Sequence, residues 1–264
     1  MKIGIIGANG WLGSALGKRL IESGTILPAG LTVFDRVGQS PDYFGYRDVV
    51  WAQNLTDLVD RSDVVVLSVR PEDWKSIELY AHDRLVISFM ASMGLSSLTR
   101  CGGRIVRAMP NAAAEFGRSY TSWFAADDVT ETDRQWMQAI LASIGTSDEL
   151  AEESQIDVLT ALSGSGSAYP ALMASAMLNW ARLAGLAEPI ARRAVEATVC
   201  GGAQMLAGRI EGAEGMVSTY RDYRGVTAAG LDAAEDAGFV KAINAALDTA
   251  VSASQSKAIL LAKE

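Results

Sequence analysis

Lys2-Ile-Gly-Ile-Ile6 runs straight into Gly7-Ala-Asn-Gly-Trp-Leu-Gly13, and a stretch with Leu12, Leu16 and Leu20 on one helical face follows. A short apolar strand, a glycine turn and a helix are the setting in which backbone N–H groups approach a pyrophosphate at a helix N-terminus. The spacing is G-x-x-G-x-x-G, a variant of the usual dinucleotide fingerprint. Leu31–Phe34 reads as the next strand and ends in Asp35-Arg36, about twenty residues past the glycines. A carboxylate there holds an adenosine ribose 2′-hydroxyl, whereas an arginine suits a 2′-phosphate. The expected cofactor is NAD or NADP, and the carboxylate-first order favours NAD.

The alternation continues. Val49–Trp51, Asp63–Val69, Leu85–Ser88 and Arg104–Arg107 read as strands, and the unbroken apolar run of the second suits a parallel strand buried on both faces. Pro71, after Arg70, suits the first turn of a helix. Ala108-Met-Pro-Asn111 leaves the last of these strands, so Asn111 falls at a strand's C-terminal end, the edge where open α/β sheets bind ligands. The plainer role for Asn111 is a turn former after proline. Two edge strands, Ser122–Ala125 and Thr146–Leu150, are expected around a helix from about Glu131 to Ser143.

From Ala161-Leu-Ser-Gly-Ser-Gly-Ser-Ala-Tyr169 onward the pattern is helical, over roughly 155–186, 188–208, 226–236 and 239–261. Tyr169, Leu172, Met173, Ala176, Met177, Trp180, Leu183 and Ala184 form one apolar stripe. The small residues Ser163 to Ser167 admit a ligand or another backbone and can kink the entering helix. The expected architecture is an α/β Rossmann-type dinucleotide-binding domain over residues 1–152 and an all-α domain over residues 153–264. Ala/Met-rich helices of this kind bury their surplus against a second copy, so a homodimer or larger homo-oligomer is expected.

Composition removes several function classes. A net charge of -8 without a basic cluster argues against a nucleic-acid partner. No apolar run reaches the length of a membrane span and no leader pattern is visible, so a cytoplasmic protein is expected. Cys101 and Cys200 are too far apart for a zinc site, and no metal site is expected. His82 is the only histidine and reads as a surface residue, which leaves no His–Asp couple for alcohol oxidation. Lysine is absent from Ser76 to Val240, which removes the lysine that hydroxyacid dehydrogenases of similar layout need. Ser163, Ser165 and Ser167 lack the strand–elbow–helix context of a hydrolase nucleophile.

The chain resembles the pyrroline-5-carboxylate reductase family over nearly its whole length. The resemblance is carried by Val106-Arg-Ala-Met-Pro-Asn111, Ala161–Tyr169, Gly225-Val-Thr227 with Ala229-Gly-Leu231, and Gly238-Phe239, together with Asn54, Val69-Arg-Pro71 and the first glycine turn. It implies reduction of a cyclic imine and a helical half that interlocks with a second subunit. It also implies cofactor contacts at Gly7, Asn9, Gly10, Trp11 and Leu12, at Asn54, at Val69, Arg70 and Pro71, and at Asn111, alongside Asp35 and Arg36. Substrate contacts are implied at Ser163 and Ser165 and in the loop Arg224, Gly225, Val226 and Thr227. The Thr227 hydroxyl is the candidate to orient the ring nitrogen, and its plainer role is the N-cap of a helix starting near Ala228.

Departures from the family pattern bear on the substrate. Ala112-Ala113 stand where Thr-Pro is usual, Ser167 replaces a proline and Ser175 a glutamate. Asp222-Tyr223-Arg224 put charge and bulk where small residues are usual, which opens the alternatives of a different imine or a non-catalytic nucleotide binder.

Overall fold

The computed structural model describes residues 1–263. Four apolar runs become parallel strands with every residue or nearly every residue buried: β1 (Ile3–Ile6), β2 (Leu31–Phe34), β4 (Val64–Leu67) and β5 (Leu85–Ser88). The short β3 (Val50–Trp51) pairs outside β2, and β6 (Arg104–Met109) outside β5, all parallel. β7 (Ser119–Ala125) then runs antiparallel to β6, and β8 (Gly145–Glu149) parallel to β7. The eight-stranded order is β3-β2-β1-β4-β5-β6-β7-β8. The strand order reverses at β1, so the turns after β1, β2 and β4 open onto one crevice. Of the two expected edge strands only the second is an edge, because β8 covers β7.

Helices and turns cover both faces of the sheet. On one face α1 (Trp11–Glu22) lays Ala15, Leu16 and Leu20 against Ile3, Ile5, Val33 and Val64. The same cluster takes Met137, Ile140 and Leu141 from α4 (Glu131–Ala142). On the other face Leu58 and Val59 of α2 (Leu55–Asp60), Trp74, Met90 and Leu98 pack on Val65 and Leu67. The segment after Arg70 is a 3-10 turn (Pro71–Ser76), tighter than the α-helix expected there, with the proline at its start. Asp133 closes a capping box with Thr130 and receives two hydrogen bonds from Arg104, at 2.6 and 2.9 Å. Burial alone would raise the Asp133 carboxyl, but hydrogen bonds from Arg104 and Thr130 outweigh it and hold the group at about 2.

The chain divides into two compact units, Met1–Ser165 with Ala250–Glu264, and Gly166–Thr249. The first therefore includes the final part of α11 (Phe239–Lys263): Ser254 donates to Asp157 at 2.7 Å, Lys257 pairs with Glu72, and Leu261 packs on the second core cluster.

The second unit is helical. α6 (Ala168–Leu183) and α7 (Glu188–Glu196) are joined by a turn that Arg182 ties to Glu188. A π-type turn over Ala197–Gly201 interrupts the helix expected through residue 208, and α8 (Gly202–Gln204) is only three residues long. α9 (Ala213–Asp222) is a helix absent from the sequence reading, and α10 (Val226–Asp236) matches its expected span. Arg221 of α9 binds Asp232 and Glu235 of α10, which fixes the hairpin between them. In this unit only Ala181, Ala191 and Ala228 are buried. The expected stripe on α6 is real, yet much of it faces outward, Trp180 being 69% and Leu183 81% exposed.

Among the described residues no helix is long and apolar enough to cross a membrane, and no group of three or more His, Cys, Asp or Glu could hold a metal.

Candidate active site

The glycine turn leaves β1 with Gly7 in the left-handed region, at φ 83°. A Cβ on Gly7 would strike the Ser68 carbonyl at the end of β4, and one on Gly13 would strike the Gly7 carbonyl. The turn is therefore drawn tight by backbone packing that only glycine permits. α1 begins after Gly10 with no side chain capping it, so its first N–H groups are available to an anion. Tyr43, missed in the sequence reading, sits below this turn. Its buried hydroxyl lies 3.1 Å from the Ala8 carbonyl and 3.3 Å from that of Gly13, and donates to them. Burial first, and then the charge of Asp35, push its phenol well above the ordinary range, so it stays protonated. Nothing in the sequence around Asp42-Tyr43-Phe44 marks that role.

Beside the turn lies a cavity of about 200 Å³. Ile6, Phe34, Leu55, Val69 and Ile77 form its apolar walls, and Gly7, Gly10, Asp35, Arg36, Arg70 and Asp73 its polar ones. Asp35 accepts from the backbone N–H of Asn9 at 3.0 Å and of Val37 at 3.1 Å. Arg36 turns away from Asp35 and makes a two-pronged contact with Asp73, at 3.1 and 3.2 Å. Arg70 reaches the same carboxylate at 3.2 Å. Asn54 caps α2, its side chain accepting from Asp57 N–H at 2.9 Å, one residue before the cavity-lining Leu55. Trp11 is exposed, Leu12 packs on the core beneath the turn, and Pro71 opens the 3-10 turn just beyond Arg70.

A second cluster forms where β6 ends. Asn111 caps the turn Ala112–Phe116 by accepting from Ala113 N–H at 3.0 Å, so its plainer role is real. Its amide also donates to the Ser163 carbonyl at 2.8 Å. Ser163 lies in a π-type turn (Thr160–Gly164) that separates α5 (Gln155–Leu159) from α6, the break foreseen for this small-residue run. Such turns widen a helix locally and recur at functional sites. Gly164 sits against Met109, where a Cβ would come within 3.2 Å of its side chain. The hydroxyls of Ser163 and Ser165 donate back to the carbonyls of Leu159 and Thr160. Asn111, Ser163 and Ser165 are thus brought to one corner of the first unit. Behind them the nearly buried Arg107 donates to Glu153 at 2.7 Å, and Glu153 also accepts from Leu95 N–H at the start of α3 (Leu95–Leu98).

The remaining site candidates belong to the second unit. Asp222 ends α9, so the loop is shorter than expected, and Tyr223 and Val226 are 81% and 92% exposed. Arg224 holds φ 48°, a left-handed conformation that costs a side-chain-bearing residue energy. The N-cap of α10 is Gly225, with no side-chain cap, and Thr227 stands inside the first turn. This corrects the reading of Thr227 as N-cap and leaves the first-turn N–H groups without a capping side chain. The exposed Ser175 lies on α6, and Ser167 precedes that helix without capping it. His82 is exposed, as expected.

The reversed strand order, the glycine turn and the carboxylate following β2 make a Rossmann-type dinucleotide-binding fold of the kind nicotinamide-dependent oxidoreductases use. Two family comparisons agree: residues 2–92 match "NADP oxidoreductase coenzyme F420-dependent" and residues 153–257 match "Pyrroline-5-carboxylate reductase dimerisation". A pyrroline-5-carboxylate reductase of Synechocystis sp. is 32% identical over 264 residues, covering 97% of each chain. The pyrroline-5-carboxylate reductase structure from Coxiella burnetii superposes with a TM-score of 0.84 at 26% identity, covering 97% of this chain and 98% of that one. A Plasmodium falciparum pyrroline carboxylate reductase with NADP bound gives 0.86 at 23% identity, covering 98% of both. The chain belongs to the pyrroline-5-carboxylate reductase family.

Proposed function

We propose that this protein reduces 1-pyrroline-5-carboxylate to proline, using a reduced nicotinamide dinucleotide held by residues 1–152 and a substrate and dimerisation region over residues 153–264. The observation that carries the reading is the 2.8 Å hydrogen bond from Asn111 to the Ser163 carbonyl. It joins the ligand-binding edge of the sheet to the small-residue turn, in a chain whose relatives share this activity in name over nearly full length.

The tight glycine turn, the apolar walls beside it and the uncapped start of α1 suit a dinucleotide. When bound, the reduced nicotinamide supplies the hydride. The protein's task is to orient a protonated C=N and keep water from it, and orientation alone can supply about 7–11 kcal/mol. As the new C–H bond forms at the imine carbon, the π pair of C=N moves onto nitrogen, and the product is a secondary amine. In this reading the Thr227 hydroxyl accepts from the ring N–H. The first-turn N–H groups of α10, beginning at Gly225 and Val226, donate to the substrate carboxylate, which also benefits from the positive end of that helix. Ser163 and Ser165 line the ring side with small groups.

For the cofactor the proposal favours NADH, because Asp35 ends β2 within reach of the glycine turn while Arg36 is engaged elsewhere. The outward apolar faces of α6 and α10 support a homodimer, and two unpaired cysteines support a reducing, cytoplasmic setting.

The test is NADH and NADPH oxidation with pyrroline-5-carboxylate beside a panel of cyclic imines. Turnover near the enzyme median of about 10 per second with pyrroline-5-carboxylate supports the reading. Slow turnover there and fast turnover with an imine bearing another substituent would overturn it. In that case exposed Tyr223 and Arg224 select the substrate, as the second reading holds.

A further inference from the structure

The cavity beside the glycine turn holds two guanidinium groups and two carboxylates, Arg36 and Arg70 against Asp35 and Asp73. Their arrangement is uneven. The Arg36 and Arg70 side chains are 70% and 74% exposed, whereas Asp73 between them is 17% exposed and takes all three of their hydrogen bonds. Asp73 is fixed from its own backbone, its N–H donating to Arg70 and its carbonyl accepting from Ser76. The anchored partner is therefore the acid, and the exposed partners are the bases.

We infer that Asp73 sets the cofactor preference by occupying, with its own carboxylate, the arginine pair that would otherwise receive a 2′-phosphate. The inference rests on the cavity being the dinucleotide site. Arg36 gives its terminal two-pronged edge to Asp73 and Arg70 gives its Nε–H, so these donors are already held by a carboxylate. A 2′-phosphate, with a charge of about -1.5 to -2, must either displace Asp73 or sit beside it and Asp35. A 2′-hydroxyl meets neither obstacle, because Asp35 can accept from it without disturbing the pair. The protein thus carries the parts of a phosphate site already filled from within. Charge at the end of β2 alone does not decide the preference; a residue 37 positions beyond Arg36 does.

Calorimetric titration tests this with four probes: NADH, NADPH, adenosine 5′-monophosphate and adenosine 2′,5′-bisphosphate. In the unaltered protein NADH binds more tightly than NADPH. Asp73→Asn removes the charge and keeps the backbone contacts, and it should move the NADPH-to-NADH affinity ratio about tenfold toward NADPH, the smaller effect of a freed charged hydrogen bond. The bisphosphate-to-monophosphate ratio should move equally. Asp73→Glu should restore most of the original preference, and Arg36→Gln added to Asp73→Asn should abolish the gain. A ratio that stays put, or moves toward NADH because Asp73 was organising the arginines for phosphate, overturns the inference while the cofactor site stands. Failure of the unaltered protein to bind any of the four overturns the cofactor site and the inference together.

Discussion

The sheet-based unit and the helical unit solve the burial problem in opposite ways. The first fills both faces of its sheet with its own side chains, down to fully buried Ile3, Leu16, Leu31, Leu67 and Ile87. The second buries three alanines and turns Leu172, Trp180, Leu183 and Val226 outward. Alanines at the contacts let helices approach closely, but they remove little apolar surface from water. Burial of a large apolar side chain contributes about 1.5–3 kcal/mol, so leaving several outside forgoes most of the stabilisation a bundle of this length needs. Isolated helices are marginal without such packing. The lesson is that the first unit carries a core of its own, whereas the second leaves an apolar surface of the kind an oligomer interface covers.

The strongest way to break that contrast is to charge the outward stripe. Trp180→Asp with Leu183→Asp should leave the protein monomeric at micromolar concentration and strip helical signal while the sheet persists, an effect above about 4 kcal/mol for two central apolar groups. Light scattering and circular dichroism read both parts. A dimer that survives would show that the stripe faces water in the assembly.

The converse attack falls on the first unit alone. Asp133→Asn should cost roughly 3 kcal/mol, because Arg104 is left without its charged partner beside the sheet. Asp133 sits at about 2 against an ordinary 3.8, so its stabilising contribution is complete above about pH 4 and is lost as pH falls from there through 2. Acid melting of the variant should lack that step.

Much of the first unit was legible in its sequence, because parallel strands covered on both sides leave unbroken runs such as Val64–Leu67. The glycine turn and the break at Ser163–Gly164 were legible too, since both depend on small residues next to one another in the chain. Tyr43 and Asp73 were not. Tyr43 acts on carbonyls 30 and 35 positions away, and Asp73, besides its near neighbour Arg70, engages Arg36 from 37 positions away. The second unit was read as helix from its periodicity, yet periodicity marks an apolar face without saying what covers it. α9 escaped because Gly215 and its charges blur the period, and the cap at Gly225 escaped because Thr227 offered the more familiar capping side chain.

Smaller effects sharpen the contrast at the proposed chemistry. Tyr43→Phe should weaken dinucleotide binding several-fold and lower stability by about 1–2 kcal/mol, since the Ala8 and Gly13 carbonyls lose a buried donor. Calorimetry and thermal unfolding measure the two, and unchanged affinity would reduce Tyr43 to a core residue. Thr227→Ala should lower turnover by a factor of about ten or more with unchanged cofactor affinity, a hydrogen bond to a charged N–H contributing about 1.5–3 kcal/mol. Unchanged turnover would remove Thr227 from the reaction. Arg224→Gly should have the smallest effect, raising stability by about 1 kcal/mol through relief at φ 48°. A loss of stability would mean that its side chain is held in the assembly.

The return of α11 to the first unit has a consequence for how the protein is made. Residues from Ala250 onward leave the ribosome after the whole helical unit, yet Ser254 and Leu261 belong to the packing of the sheet. The half that is synthesised first is therefore finished last. During synthesis the nascent sheet waits with an uncovered patch near Met93 and Trp74, and the helical segment hangs between two points of one body as an insertion. Closing that insertion is a loop-closure step whose entropic cost grows only slowly with its length, so the arrangement tolerates a long helical excursion. It also makes the outward-facing helices among the last parts of the chain to be secured at both ends.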